Sequence, residues 1–86
     1  MKIKNKVNNI LKKNKIDIKK YNIETNLIQT GVIDSMQLII IIAEFERNFK
    51  IKIDNQIFYK KNFGSINSFY TIIQKLINAN TNSKKN

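Results

Sequence analysis

Apolar side chains between Met36 and Phe49 lie on two stripes of one helix, where a single buried face fills only one. At about 100° per residue, Leu38, Ile41, Ile42, Phe45 and Phe49 share a stripe, the pattern of a helix packed on a core. Met36, Ile40 and Ala43 fall on a second stripe roughly 160° away, with Ser35 at its upper end and Arg47 continuing it. Something has to sit on that second stripe. It is either the chain's own long loop, Lys15 to Asp34, making these residues ordinary core, or another molecule.

The rest of the chain is legible by the same spacing. Ile3, Val7, Ile10 and Leu11 recur at helical intervals and predict a first amphipathic helix from about Lys2 to Asn14, with Lys and Asn on its opposite face. The connection that follows, Lys15 to Asp34, carries Ile16, Ile18, Tyr21, Ile23, Leu27, Ile28, Val32 and Ile33. No partner strand exists for the Ile16-x-Ile18 alternation, so the segment reads as a long loop pinned to the core. Gly31 gives freedom for a turn, and Asp34 or Ser35 caps the second helix, which runs to about Phe49 or Lys50. Ile51 and Ile53 anchor the next connection, and Asn55 to Lys61 contains a short third helix using Ile57 and Phe58. Ser65 caps a last helix whose buried face is Ile66, Phe69, Ile72, Ile73, Leu76 and Ile77. Ala79 to Asn86 is polar and expected to fray. The expectation is an all-α small bundle, three principal helices and one short one, with residues 1–79 as the domain and 80–86 as a disordered polar tail.

Composition narrows the chemistry. At 86 residues the chain makes one domain, able to bury about 60–65% of its unfolded surface. No run approaches the ~20 apolar residues of a membrane span, and Met1-Lys2-Ile3-Lys4 lacks the apolar stretch of a secretory signal, so a cytoplasmic setting is expected. There is no Cys and no His, hence no thiolate nucleophile, no disulfide and neither of the commonest metal ligands. The six carboxylates, Asp17, Glu24, Asp34, Glu44, Glu46 and Asp54, are scattered rather than paired for acid–base work. Catalysis by this chain alone is not expected. Any thiol chemistry must arrive on a cofactor.

Sixteen Lys+Arg against six Asp+Glu give a net charge of +10. Such a charge raises the prospect of a small basic helical domain that binds nucleic acid through lysines of its first helix. Yet one of the sixteen cations is Arg, and no cluster of Arg, Asn or Gln forms a base-reading helix. The chain is also loaded with Asn and Ile, the bias expected of A/T-rich codons, so surface lysine of genomic origin is the preferred reading and no nucleic-acid partner is expected.

Gly31-Val32-Ile33-Asp34-Ser35-Met36, an apolar helix closing with Glu44-Phe45-Glu46-Arg47-Asn48-Phe49, the Ile51-x-Ile53 connection and Asn62-Phe63-Gly64-Ser65-Ile66-Asn67-Ser68-Phe69 together resemble an acyl carrier protein. Asp-Ser-Met alone is a weak string. Its distance from the Phe-x-Ser-Ile-x-Ser motif in so short a chain makes the resemblance specific, and it covers about Ile3 to Ile77. The resemblance implies a four-helix bundle of acyl-carrier type with a long loop between its first two helices. It implies 4'-phosphopantetheine, donated by coenzyme A and attached to Ser35 by a separate phosphopantetheinyl transferase. The arm would hold an acyl or aminoacyl group as a thioester. By residue match, Met36, Ile40, Ala43 and Arg47 form the face that docks on partner enzymes, and Asp34 aids recognition by the transferase. Those partners are a loading ligase and a downstream acyltransferase or synthase, and the carrier is expected to be a monomer.

A helix N-terminus suits the negative phosphodiester such an attachment creates, through its unpaired N–H groups and positive dipole end. Fatty-acid carriers usually read Gly-x-Asp-Ser-Leu and carry an acidic second helix. Here one more residue separates Gly31 from Asp34, Met36 replaces Leu, and Ile40 and Arg47 stand where acids are common. The likeness therefore leans toward stand-alone D-alanyl or aminoacyl carriers, docking by apolar contact more than by charge. Other readings stand beside it. Asp34 and Ser35 serve as caps in any fold, and a carrier-like domain that is never modified is an interaction module. Ser65 and Ser68 read as capping residues rather than second attachment sites, and Glu44 and Glu46 as solvated charges.

Overall fold

Three α-helices carry the fold: α1 (Ile3–Lys13), α2 (Ser35–Phe49) and α3 (Ile66–Lys84). The computed structural model describes residues 3–59 and 63–84, and no strand occurs among them. Residues 1–2, at the expected start of the first helix, the 60–62 stretch and residues 85–86 lie outside the described residues, as do the side chains of Phe58, Tyr59 and residues 80–84. The fourth, short helix is a 3₁₀ segment, Asn55–Tyr59.

α1 sinks Val7, Ile10 and Leu11 and ends where Asn14 folds back, its Nδ2 donating to the Ile10 carbonyl at 2.7 Å, before Lys15 turns through a left-handed φ of 68°. The long loop is held by side chains that bond their own backbone. Asp17 accepts from the Lys19 N–H at the head of a 3₁₀ turn, Ile18–Lys20, and Asn26 Oδ1 accepts from both Ile28 and Gln29. Ile16, Leu27 and Ile33 drop from this loop into the core, as its apolar spacing predicts, but Ile23 does not: it is half exposed.

The loop is also stitched to the start of α3. The Leu27 N–H donates to the Gly64 carbonyl, the Asn26 amide to the Phe63 carbonyl, and the Asn67 N–H to the Ile23 carbonyl. Backbones approach so closely here that a Cβ on Gly64 would lie 2.7 Å from Asn26 Oδ1, and the residue sits at a φ of 113°. Only glycine fits both demands.

Between the helices lies a core of Ile, Leu, Val and Phe. Phe69 packs edge to face with Phe45 and with Phe63, ring centroids 5.6 Å apart in each pair. Some of the lysines do structural work as well: Lys4 lies over the Tyr70 ring and Lys6 over Phe49. α3 continues to Lys84, past Ala79, where the sequence reading expects fraying. Nothing after Ser65 is Gly or Pro, so no residue stops the helix there. Among the described residues, no helix is long and apolar enough to cross a membrane.

Candidate functional site

The candidate site is built on the first turn of α2. Asp34, with extended backbone at φ −89° and ψ 175°, is the N-cap, and its Oδ1 accepts from the Gln37 N–H at 2.8 Å. The sequence left Asp34 and Ser35 as alternative caps; the structure gives the role to Asp34. Ser35 is thereby the first helical residue, and the N–H groups of Ser35 and Met36 point out of the helix end without an intrahelical partner. One turn along, Gln37 Nε2 donates to the Asn14 carbonyl at 2.8 Å and fastens the tip of α2 to the end of α1.

Ser35 itself is exposed, and among the described residues its hydroxyl has no hydrogen-bond partner. The other serines with described side chains differ. Ser65 is buried and caps α3, its Oγ accepting from the Ser68 N–H, while Ser68 Oγ donates to the Ser65 carbonyl at 2.6 Å and accepts from the Gly64 N–H. Both are capping residues, as expected.

Below Ser35 the second apolar stripe stands uncovered. Met36 is 74% exposed and Ile40 52%, and Ala43 and Arg47 are exposed as well, so the long loop does not cover them. The structure adds Ile39, 61% exposed, to this face. Periodicity alone could not place it, because it lies about 60° from both Met36 and the buried Ile42.

The acidic residues of α2 depart from the expectation of solvated charges. Glu44 is buried, accepts from Asn14 Nδ2 at 2.7 Å and pairs with Lys13 Nζ at 2.8 Å, with Arg47 Nη2 at 3.9 Å. The hydrogen bond from Lys13, then that from Asn14, hold its carboxyl below the usual carboxylate range against the upward push of burial. Glu46 turns toward the chain beyond the helix, its Oε2 accepting from the Ile53 N–H at 2.9 Å. With both carboxylates spent on structure, the outward face is apolar and ends in a cation. Among the described residues, no group of three or more His, Cys, Asp or Glu is placed to hold a metal ion.

Most of the chain matches a known family. The family model described as the phosphopantetheine attachment site covers residues 2–73, from α1 into α3. The chain belongs to that family. Its domains bear a covalent 4'-phosphopantetheine and are generally carriers rather than catalysts. No curated protein and no solved structure matches the chain. In this phosphopantetheine-attachment domain the residues around Ser35 fit the group: the oxygen is reachable, and the free N–H groups beside it favour a phosphodiester.

Proposed function

We propose that Ser35 is the attachment serine, and that the domain tethers acyl or aminoacyl groups there and presents them to partner enzymes. The observation that carries this reading is the state of the Ser35 hydroxyl, exposed and unbonded where Ser65 and Ser68 are engaged in the cap of α3. Ser35 supplies the oxygen for attachment. The base that removes its proton, and any metal ion, belong to a phosphopantetheinyl transferase, in keeping with a chain that has no His. When attached, the group supplies a thiol that bears the cargo as a thioester.

Asp34 fixes where the Ser35 oxygen stands and offers the transferase a carboxylate next to it. Met36, Ile40, Ala43 and Arg47, with Ile39, give the transferase, a loading ligase and a downstream acyltransferase or synthase a common face to dock on. Held there, the cargo is delivered at high effective concentration and in a fixed direction. Incubation with coenzyme A and a promiscuous transferase, followed by intact mass, tests the reading. One phosphopantetheine adduct should appear and be lost in Ser35→Ala. A wild-type chain that stays bare, or an adduct that survives the substitution, removes Ser35 from the role.

A further inference from the structure

Contacts between α1 and α2 fix which side chains border the face below Ser35. At the upper end Gln37 Nε2 holds the Asn14 carbonyl, which brings the exposed Lys15 to the tip of α2. In the middle Lys13 Nζ reaches Glu44 at 2.8 Å, and at the lower end Lys6 Nζ lies 5.7 Å from the centre of the Phe49 ring. Gln37 and Glu44 stand about 40–60° from Ile40 around the helix, so these lysines flank the apolar stripe, and Arg47 continues it below. The result is a row of exposed cations, Lys15, Lys13 and Lys6 with Arg47, beside the 15 residues of α2, a length of about 22 Å.

Little acid offsets this row. Glu44, between Lys13 and Arg47, is buried, while the Lys13 and Arg47 side chains are each 70% exposed. Asp34, at the tip, is committed to the cap. Nor does helix stability account for the whole row. Lys6 stands in the first turn of α1, at the positive end of the helix dipole, where a cation is unfavourable. Lys15 takes a left-handed φ of 68°, which Asn adopts more readily than Lys, in a chain rich in Asn. An apolar centre with a charged border is the anatomy of a protein interface, and the charge of the border selects which partners approach. A nucleic-acid duplex held through its phosphates would meet the lysines and leave Met36, Ile39 and Ile40 in water, so it fits this face less well.

We infer that this face docks a partner protein that presents carboxylates opposite the α1 border and an apolar spot opposite Met36 and Ile40. The inference rests on reading the α2 stripe as a docking face. It deepens that reading by fixing the sign of the partner's charge.

Two helical peptides of about 18 residues, long enough to cover α2, serve as probes: both carry a leucine stripe, flanked by Glu in one and by Lys in the other. Methyl and amide NMR shifts of the full chain map where each binds, and their titration gives the affinity. The Glu peptide should shift Met36, Ile39 and Ile40, bind about tenfold more tightly than the Lys peptide at low salt, and lose most of that advantage at about 0.5 M salt. Lys6→Gln combined with Lys15→Asn should weaken the Glu peptide about fivefold. Lys4→Gln combined with Lys75→Gln removes the same charge from the cleft between α1 and α3 and should change its affinity less than about twofold. Lys6→Arg with Lys15→Arg should bind as wild type does. A Glu peptide that leaves α2 unshifted overturns the inference, and so does equal binding of the two peptides, which would make the contact apolar alone. Equal losses in the two charge-removing pairs overturn it as well, because the attraction would then be one of net charge. Duplex DNA or phosphatidylglycerol vesicles that shift these signals while the Glu peptide does not would replace the acidic protein with a polyanion. If the Lys6 and Lys15 variant has lost its helical signal at 222 nm, the salt dependence and peptide preference of the wild-type chain decide the matter. Loading at Ser35 is read separately by intact mass: a chain that stays bare but prefers the Glu peptide loses the attachment reading and keeps the acidic partner.

Discussion

Replacing Asp34 and Ser35 one at a time separates support from function at the tip of α2. Asp34→Ala deletes the oxygen that accepts from the Gln37 N–H, and loss of such a cap costs about 1 kcal/mol. It also removes a negative charge from the positive end of the helix, for about 0.3–1 kcal/mol more. The sum, about 1–2 kcal/mol, corresponds to a fall in melting temperature of about 4 °C or more in a domain of this size. Asp34→Asn keeps the acceptor and should recover the larger share. Ser35→Ala removes a hydroxyl that bonds nothing among the described residues and places a better helix former in the first turn, so stability should stay within about 0.5 kcal/mol of wild type. Urea titrations followed at 222 nm measure these changes, and intact mass after the transferase reaction measures loading. Ser35→Ala should be stable and bare, Asp34→Ala weakened but still able to accept the group. If Ser35→Ala is destabilised as much as Asp34→Ala, the hydroxyl is part of the scaffold and the assignment of roles is wrong.

Phe45→Ala should destabilise the fold by about 3–5 kcal/mol in the same titration, since its ring is buried against Phe69, while Ile40→Glu should leave melting almost unchanged and slow transfer from the loading partner. A large melting loss in Ile40→Glu would mean that the stripe is not free surface. Gly64→Ala should cost more than Gly31→Ala although both residues have positive φ, because a Cβ meets nothing within 4 Å at Gly31 but strikes Asn26 and Ile28 at Gly64; about 1–3 kcal/mol is expected from backbone strain alone, and equal losses would refute the close approach. Glu44 has a lowered pKa when folded, so its stabilisation is complete above the ordinary carboxylate value near 4.5 and disappears as pH falls through the lower folded value. Glu44→Gln should flatten that acid limb of the stability curve, and an unchanged limb would place the acid sensitivity elsewhere.

The helices were legible in the sequence because each carries its own periodic stripe: Val7, Ile10 and Leu11 in α1, Ile41, Ile42 and Phe45 in α2, Ile66, Phe69 and Ile73 in α3 are all buried as that spacing requires. The position of Ser35 was legible for a related reason, since an acid and a serine ahead of an apolar helix can stand only at its start. What the sequence does not display is set by contacts between segments far apart in the chain. Nothing in the run from Glu44 to Phe49 says that Lys13 and Asn14, some thirty residues earlier, close over Glu44, and so a buried carboxylate reads as a solvated one. Ile39 stood between two stripes, and only the packing of its neighbours decides which one it joins.

These two surprises bear on the same property of the site. Had Glu44 and Glu46 faced outward, the stripe below Ser35 would be edged with negative charge and would draw basic partners from a distance. With one carboxylate tied to Lys13 and Asn14 and the other to the Ile53 N–H, the face is left with Met36, Ile39 and Ile40 above Arg47. On the proposed reading, a partner that docks beside Ser35 meets no carboxylate of this helix at that face and has to desolvate a small apolar patch.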